Sequence, residues 1–317
     1  MPTGRELFRC FLQGRPLPRP AFVPLVRGLA ARVGGVKAEV FTTDPTAWAN
    51  LLVKTAELFK LDGVVAGLDF TILAEACGCP VQWKDDRPFI AGKAEELCCQ
   101  PEEAGRLKVA LEKARQVFEI TRSDRACVAA MTGPATLAAQ VFGREEGAAR
   151  LKEIKPLIVK VAEAFCATRP DVLILLEGRA LAQDKISLAQ RKIYNTLRNM
   201  AAHYDIPVGF FLRRYERDLP AGLADLKMDF HVLGASESGE LPSQKTLAGL
   251  ADKGLGLGIG LPLDDLEAAR EVMAQGVELY QAQSGRGFFF TSLGPATREA
   301  NLDSLHQLVK EISQVQL

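Results

Sequence analysis

Histidine is scarce in this chain, with three in 317 residues. His203, His231 and His306 stand apart from one another, each inside a strand or helix pattern, so neither a Ser-His-Asp relay nor a histidine-based metal site is indicated. A charge surplus is also missing. The 39 basic residues balance the 39 acidic ones, which argues against nucleic acid or an anionic membrane surface as partner. No apolar run reaches the roughly 18 residues of a membrane span. The longest uncharged stretch, 126–143, is broken by Gly133-Pro134. The first twenty residues hold charge and proline but no apolar signal core. Seven cysteines, odd in number and irregular in spacing, do not make a disulfide framework. These absences point to a soluble protein of a reducing compartment, the cytoplasm.

What is present is an alternation. Short apolar runs at 22–26, 64–68, 126–131, 171–176, 207–212, 228–233, 255–259 and 287–291 read as eight strands. Helical patterns separate most of them, at 45–59, 101–119, 135–142, 145–168, 185–204, 219–226, 242–252 and 264–277, with a last one at 297–314. Residues 5–13 form a short amphipathic helix. Trp83–Gly92 reads as an irregular polar loop. Strands alternating with helices imply parallel β/α units, and eight of them predict an α/β fold: a single (β/α)8 TIM-type barrel. No linker divides 1–317, so one domain is expected, with 1–20 as an N-terminal extension. An open doubly wound sheet is the alternative.

In such a barrel the chemistry sits at the C-terminal ends of the strands. The run Val64 to Leu68 stops at Asp69, a carboxylate that is costly at the exit of a buried strand unless it has partners or lines a cavity. Other strand ends deliver Arg27, Thr132, Glu177, Arg179, Arg213, Arg214, Ser236 and Ser292. Guanidinium groups at a pocket mouth suit a ligand with several carboxylates or phosphates. Glu177 has a second reading, a purely structural pairing with Arg179 or Arg213. Gly254 to Gly260 carries glycine at every second position inside a strand rather than after it, unlike a dinucleotide loop. Cys77/Cys79 and Cys98/Cys99 lack the two-to-four-residue spacing of zinc pairs, so no metal is expected.

The run Leu61 to Gly78, followed by Arg87-Pro88-Phe89, resembles the uroporphyrinogen decarboxylase superfamily: a strand, an Asp, a short helix ending in glycine, then a loop with proline. Met131-Thr-Gly-Pro-Ala-Thr-Leu137 is similar to its glycine-proline-threonine-leucine segment, and Phe288 to Thr297 to its last strand. The resemblance implies the eight-fold barrel and three readings. In the first, a decarboxylase (lyase) of porphyrin biosynthesis acts without cofactor on a tetrapyrrole or similar polycarboxylate. Asp69 and Glu177 are then the candidate catalytic groups, and Arg27, Arg32, Gln140, Arg179, Arg213 and Arg214 bind the ligand. Gln140 stands where the family has a tyrosine, and Leu293-Gly294-Pro295 where it has a glycine-histidine-glycine.

The second reading is a corrinoid-dependent methyltransferase, served by a corrinoid protein and independent of zinc. The front of the chain, Phe22 to Gly35, resembles that branch. Its zinc ligands, however, are replaced by Leu212-Arg213-Arg214 and Ser292-Leu293-Gly294, and arginine cannot bind zinc. The third reading is a non-catalytic ligand-binding barrel. A homodimer is implied by the family.

Overall fold

The computed structural model describes residues 2–181, 185–215, 219–282 and 287–317, with the backbone alone at Phe41. Nine strands follow in chain order: β1 (Gly63–Ala66), β2 (Val81–Lys84), β3 (Arg87–Ile90), β4 (Ala126–Thr132), β5 (Val172–Glu177), β6 (Val208–Leu212), β7 (Phe230–Leu233), β8 (Gly256–Leu261) and β9 (Phe288–Ser292). Seven of them make one curled sheet in the order β1-β4-β5-β6-β7-β8-β9, every neighbouring pair parallel. Helices occupy the crossovers of this parallel sheet except between β6 and β7, where the described residues hold only a 3-10 turn.

The strand pleat sorts side chains into two cores. Val65, Val128, Ile174, Phe211, Phe230, Val232 and Phe289 fill the inside of the curl. Their neighbours Val64, Cys127, Leu173, Phe210 and Leu233 pack outward against the helices. The inner core is stoppered by the helix Gly4–Leu12, whose Leu7, Phe8 and Phe11 are buried. Phe8 meets Phe289 edge-on at 5.1 Å and Phe11 meets Phe230 at 5.4 Å. Thr3 and Glu6 form a reciprocal capping box that starts this helix. Arg5 ties it to Asp171, just ahead of β5. The plug therefore sits at the N-terminal end of the strands, and the opposite end is left for the site. The expected N-terminal extension is thus part of the inner core.

The sequence predicts an eighth strand at 22–26, and a full eight-stranded barrel is not what the strands show. Phe22 makes one parallel bridge, to Phe290. Val23 N–H donates to the Phe290 carbonyl, and Phe290 N–H to that of Ala21. On the other side Asp62 N–H donates to the Phe22 carbonyl, and the Asp62 carboxylate accepts the Phe22 N–H at 2.8 Å. Pro24 then stops the ladder, because it has no N–H to give.

Three further expectations change. Trp83–Gly92 is not an irregular loop. β2 and β3 form an antiparallel hairpin there, turned at Asp85 and Asp86, both at positive φ (49° and 60°) as a tight hairpin turn demands. The short helix at 219–226 is a single 3-10 turn, Leu223–Asp225. The region after 26, read only as a strand end, carries two helices, Arg27–Val33 and Ala38–Phe41.

Among the described residues, no helix is long and apolar enough to cross a membrane. His231, on the outward face of β7, is fully buried with Phe210 at 5.6 Å, and neither ring nitrogen has a hydrogen-bond partner. Burial pushes its pKa down to about 4. A group whose folded pKa lies below its unfolded value of about 6.5 adds stability at neutral pH that is lost as pH falls from about 6.5 toward 4. The loss is at most about 3 kcal/mol. His231→Leu is expected to flatten the stability curve over that window, measured by urea unfolding at pH 7 and pH 4.5. An unchanged slope would assign the acid sensitivity to other groups.

Candidate functional site

β1 ends at Ala66, and Gly67 turns the chain at φ 81°. A Cβ at Gly67 would run into the Ala130 carbonyl and the Phe165 ring, so only glycine fits. The turn delivers Asp69 to the C-terminal end of the sheet. Its side chain is 2% exposed. One carboxylate oxygen accepts the Thr71 N–H (2.8 Å) and the Thr71 hydroxyl (2.7 Å). The other accepts Arg106 Nη1 at 2.8 Å and faces Arg27 Nη2 at 3.0 Å. Burial pushes the Asp69 pKa up, but Arg27, Arg106 and the two Thr71 bonds outweigh it and hold the carboxyl below its usual range.

Arg106 opens the long helix Gly105–Thr121 and is almost entirely buried. Besides Asp69 it donates to Glu75 (2.6 Å) and Thr71 (2.8 Å), and its guanidinium lies 5.2 Å from the Trp83 ring centroid. Arg27 is held less completely. Its Nε and Nη2 are buried and make no hydrogen bond, although Nη2 lies close to Asp69. The unmet Nε donor costs about 1–3 kcal/mol. Seven residues on from Arg106, Lys113 is buried with its Nζ 3.5 Å from the Trp48 ring centroid.

Above this cluster opens a cavity of about 700 Å³. Its lining brings together Asp69, Arg27, Gln140, Arg179, Arg213 and Arg214 of the sequence-predicted residues. Arg213 stacks 5.0 Å over the Phe70 ring. Burial, then the charge of Arg214 beside it, lowers its pKa to about 10. Arg214 is held at φ 56° with its N–H on the Ala235 carbonyl. Among the described residues neither side chain has a carboxylate partner. Gln140 donates to the Phe70 carbonyl at 2.8 Å, which orients its amide, and leaves its buried Oε1 without a donor. Arg179 is exposed and pairs with Glu237 at 3.3 Å.

Two predicted residues lie elsewhere. Arg32 donates to the carbonyls of Arg298 and Ala300 and so pins the C-terminal segment. Glu177 is fully buried and does not line the cavity. It caps the helix Pro134–Phe142, accepting the N–H groups of Ala135 (3.0 Å) and Thr136 (2.8 Å), the Thr136 hydroxyl and the Tyr194 hydroxyl. A carboxylate at a helix N-terminus meets unpaired N–H groups and the positive end of the dipole. Burial raises its pKa against those bonds. Glu177 faces this helix end and Tyr194 rather than Arg179 or Arg213.

Sequence reasoning missed Arg106 and Lys113. Their signal was there: they fall on the stripe of Leu107, Ala110, Ala114 and Val117, and a cation on an apolar helical face must find a partner. It also missed the hairpin tip. Asp86 accepts the Ala38 N–H and Arg298 Nη1, both at 2.7 Å, which fastens β2 and β3 to the cavity mouth.

Residues 3–171, just over half of the 317, match the family model described as uroporphyrinogen decarboxylase (URO-D). The chain belongs to the uroporphyrinogen decarboxylase family. Among solved structures, a methyltransferase from Methanosarcina mazei superposes with a TM-score of 0.79 at 16% identity, covering 99% of each chain. A putative vitamin-B12 independent methionine synthase from Listeria monocytogenes gives 0.55 at 14% identity, over 94% of this chain and 97% of the other. A B12-independent methionine synthase from Shewanella sp. W3-18-1 gives 0.56 at 12% identity, over 87% of each. At such identities the likeness is one of fold. A search of curated proteins finds no match.

The zinc of the methyltransferase branch does not fit this URO-D-family chain. After β6 stand Arg213 and Arg214, and β9 ends at Ser292, none of them a soft ligand. Among the described residues no three His, Cys, Asp or Glu side chains gather where they could hold a metal ion. Cys77 is buried, and burial, with Cys79 and Cys98 beside it, pushes its thiol up to about 12.

Proposed function

We propose that this URO-D-family protein is an enzyme that binds a polycarboxylate of the tetrapyrrole class in the 700 Å³ cavity, with decarboxylation as the family-type reaction. We read the frame as a (β/α)8-type barrel whose eighth stave is the irregular segment 21–26. The observation that carries the ligand reading is Arg213 beside Arg214, two adjacent guanidiniums without a carboxylate partner among the described residues. A half-buried Arg213 with the like charge of the exposed Arg214 beside it is costly, and an anionic group bound between them removes that cost. Arg27, paired with Asp69 but with its buried Nε unmet, is the deeper anchor. Asp69 works through Arg27. It lines the cavity floor, but its oxygens are engaged by Thr71 and Arg106 and one of them faces Arg27, so it orients the anchor rather than bonding the ligand.

Arg213→Ala is expected to weaken uroporphyrin binding about 10- to 100-fold, the worth of one charge-assisted pair, without lowering thermal stability. Absorbance titration measures the first and a melting curve the second. Equal affinity would remove Arg213 from the site. A second reading, methyl transfer from a corrinoid carried by a partner protein, rests on the end-to-end likeness to the Methanosarcina methyltransferase. Its test is titration with hydroxocobalamin. A corrinoid absorbance shift without porphyrin binding would favour it.

A further inference from the structure

Behind the cavity floor five ionisable side chains share one cluster, with Asp69, Arg106 and Lys113 buried and Arg27 and Glu75 partly exposed, and their charges do not balance when all are ionised. Arg27 and Arg106 are matched by Asp69 and Glu75, two against two. Lys113 is the fifth and is 1% exposed. Its surroundings come from four elements besides its own. The helix Pro45–Leu58 presents the Trp48 ring. The helix Arg27–Val33 presents Arg27, the β1 exit presents Asp69, and the helix Ile72–Ala76 presents Glu75 to Arg106. Arg106 lies two turns back on the same helix as Lys113. A third buried cation with no carboxylate left to match it is unfavourable.

We propose that an anionic group binding at Arg27 brings a proton with it, taken up on Lys113. The proposal rests on the polycarboxylate reading of the cavity. In the empty site the cluster is neutral with Lys113 as an amine. Burial, then the positive charge of Arg27, holds its pKa well below the ordinary lysine range, against the pull of Asp69. A carboxylate on Arg27 cancels that repulsion and adds one negative charge to the cluster. The amine then takes one proton from solvent and becomes an ammonium, and two anions become three against three cations. The Trp48 face is already in place to receive the charged form, since an ammonium over an indole ring is attracted to it. Lys113 does not line the cavity, so it is a positioning residue that acts through Arg27 and touches no ligand.

The test is calorimetric titration of the full chain with uroporphyrin at pH 8 in HEPES and in Tris, two buffers that differ widely in ionisation enthalpy. Carboxylates of the probe are fully ionised there, so they take up no proton. The expected result is a difference in apparent enthalpy corresponding to net proton uptake, up to one per ligand. Affinity should weaken up to about tenfold per pH unit above pH 8. Lys113→Met should bind with equal enthalpies in the two buffers and a flat pH profile. The wild-type buffer comparison stands alone if that variant does not fold. Binding with equal enthalpies in wild type, or uptake unchanged in Lys113→Met, overturns the proton linkage and leaves the anion site standing. Absence of binding in both buffers overturns the site and the linkage together.

Discussion

Asp69→Asn is expected to destabilise the protein by about 3–5 kcal/mol, the usual cost of breaking a buried ion pair, yet to leave anion binding as tight or tighter. The two effects separate because of what Asp69 touches. Asparagine keeps one carbonyl oxygen for the Thr71 N–H and hydroxyl. Its amide then turns two donors toward Arg106 and Arg27, where the native oxygen accepts one and faces the other. Arg106 retains Glu75, but Arg27 loses its counter-charge inside the protein. A bound carboxylate becomes its replacement. If Asp69 instead met the ligand directly, the same substitution would abolish binding in a protein that still folds. Urea unfolding gives the first number, and porphyrin titration of the folded variant gives the second.

Glu177→Gln is expected to cost about 1–3 kcal/mol for each buried donor left without an acceptor, with little change in ligand affinity. Four groups donate to the native carboxylate: two backbone N–H groups, the Thr136 hydroxyl and the Tyr194 hydroxyl. Glutamine presents an NH₂ to half of them. The buried N–H groups of Ala135 or Thr136 then lose their acceptor, and the start of the helix Pro134–Phe142 loses its compensating charge. Gly133 shows how closely the carboxylate is seated: a Cβ there would collide with Glu177 Oε1. The loss should appear as a lower urea midpoint. A normal midpoint with abolished ligand turnover would return Glu177 to the catalytic residues.

Seven of the expected strands were legible because each is a short apolar run with turn residues after it, and the parallel pairing follows from the helices between them. The segment 22–26 looks like the others in composition, and only the missing N–H of Pro24 separates a strand from a single bridge. The β2–β3 hairpin was hidden because Asp85-Asp86 is not the asparagine-glycine turn that signals one. Asp69 and the arginines after β6 were readable as strand ends. Glu177 was readable in the same way, but its direction was not. Its neighbours come from a helix about forty residues earlier, and a strand-end carboxylate looks alike whether it faces a cavity or a helix terminus. Arg32 was grouped with Arg27 through the family resemblance, and both fall on one short helix. Five residues carry it to another side, where it meets carbonyls of the C-terminal segment.

The central claim is that the cavity over Asp69 and Arg27 is a site for a polycarboxylate ligand held by unpaired arginines. The chain has two tryptophans, and both abut the cationic cluster: Trp83 beside Arg106 and Trp48 beside Lys113. Titration of the wild-type protein with uroporphyrin, followed by tryptophan quenching at low and high salt, therefore reads the site directly. The account predicts saturable quenching with an affinity that falls as salt screens the guanidiniums. No saturable quenching, or quenching indifferent to salt, would contradict it.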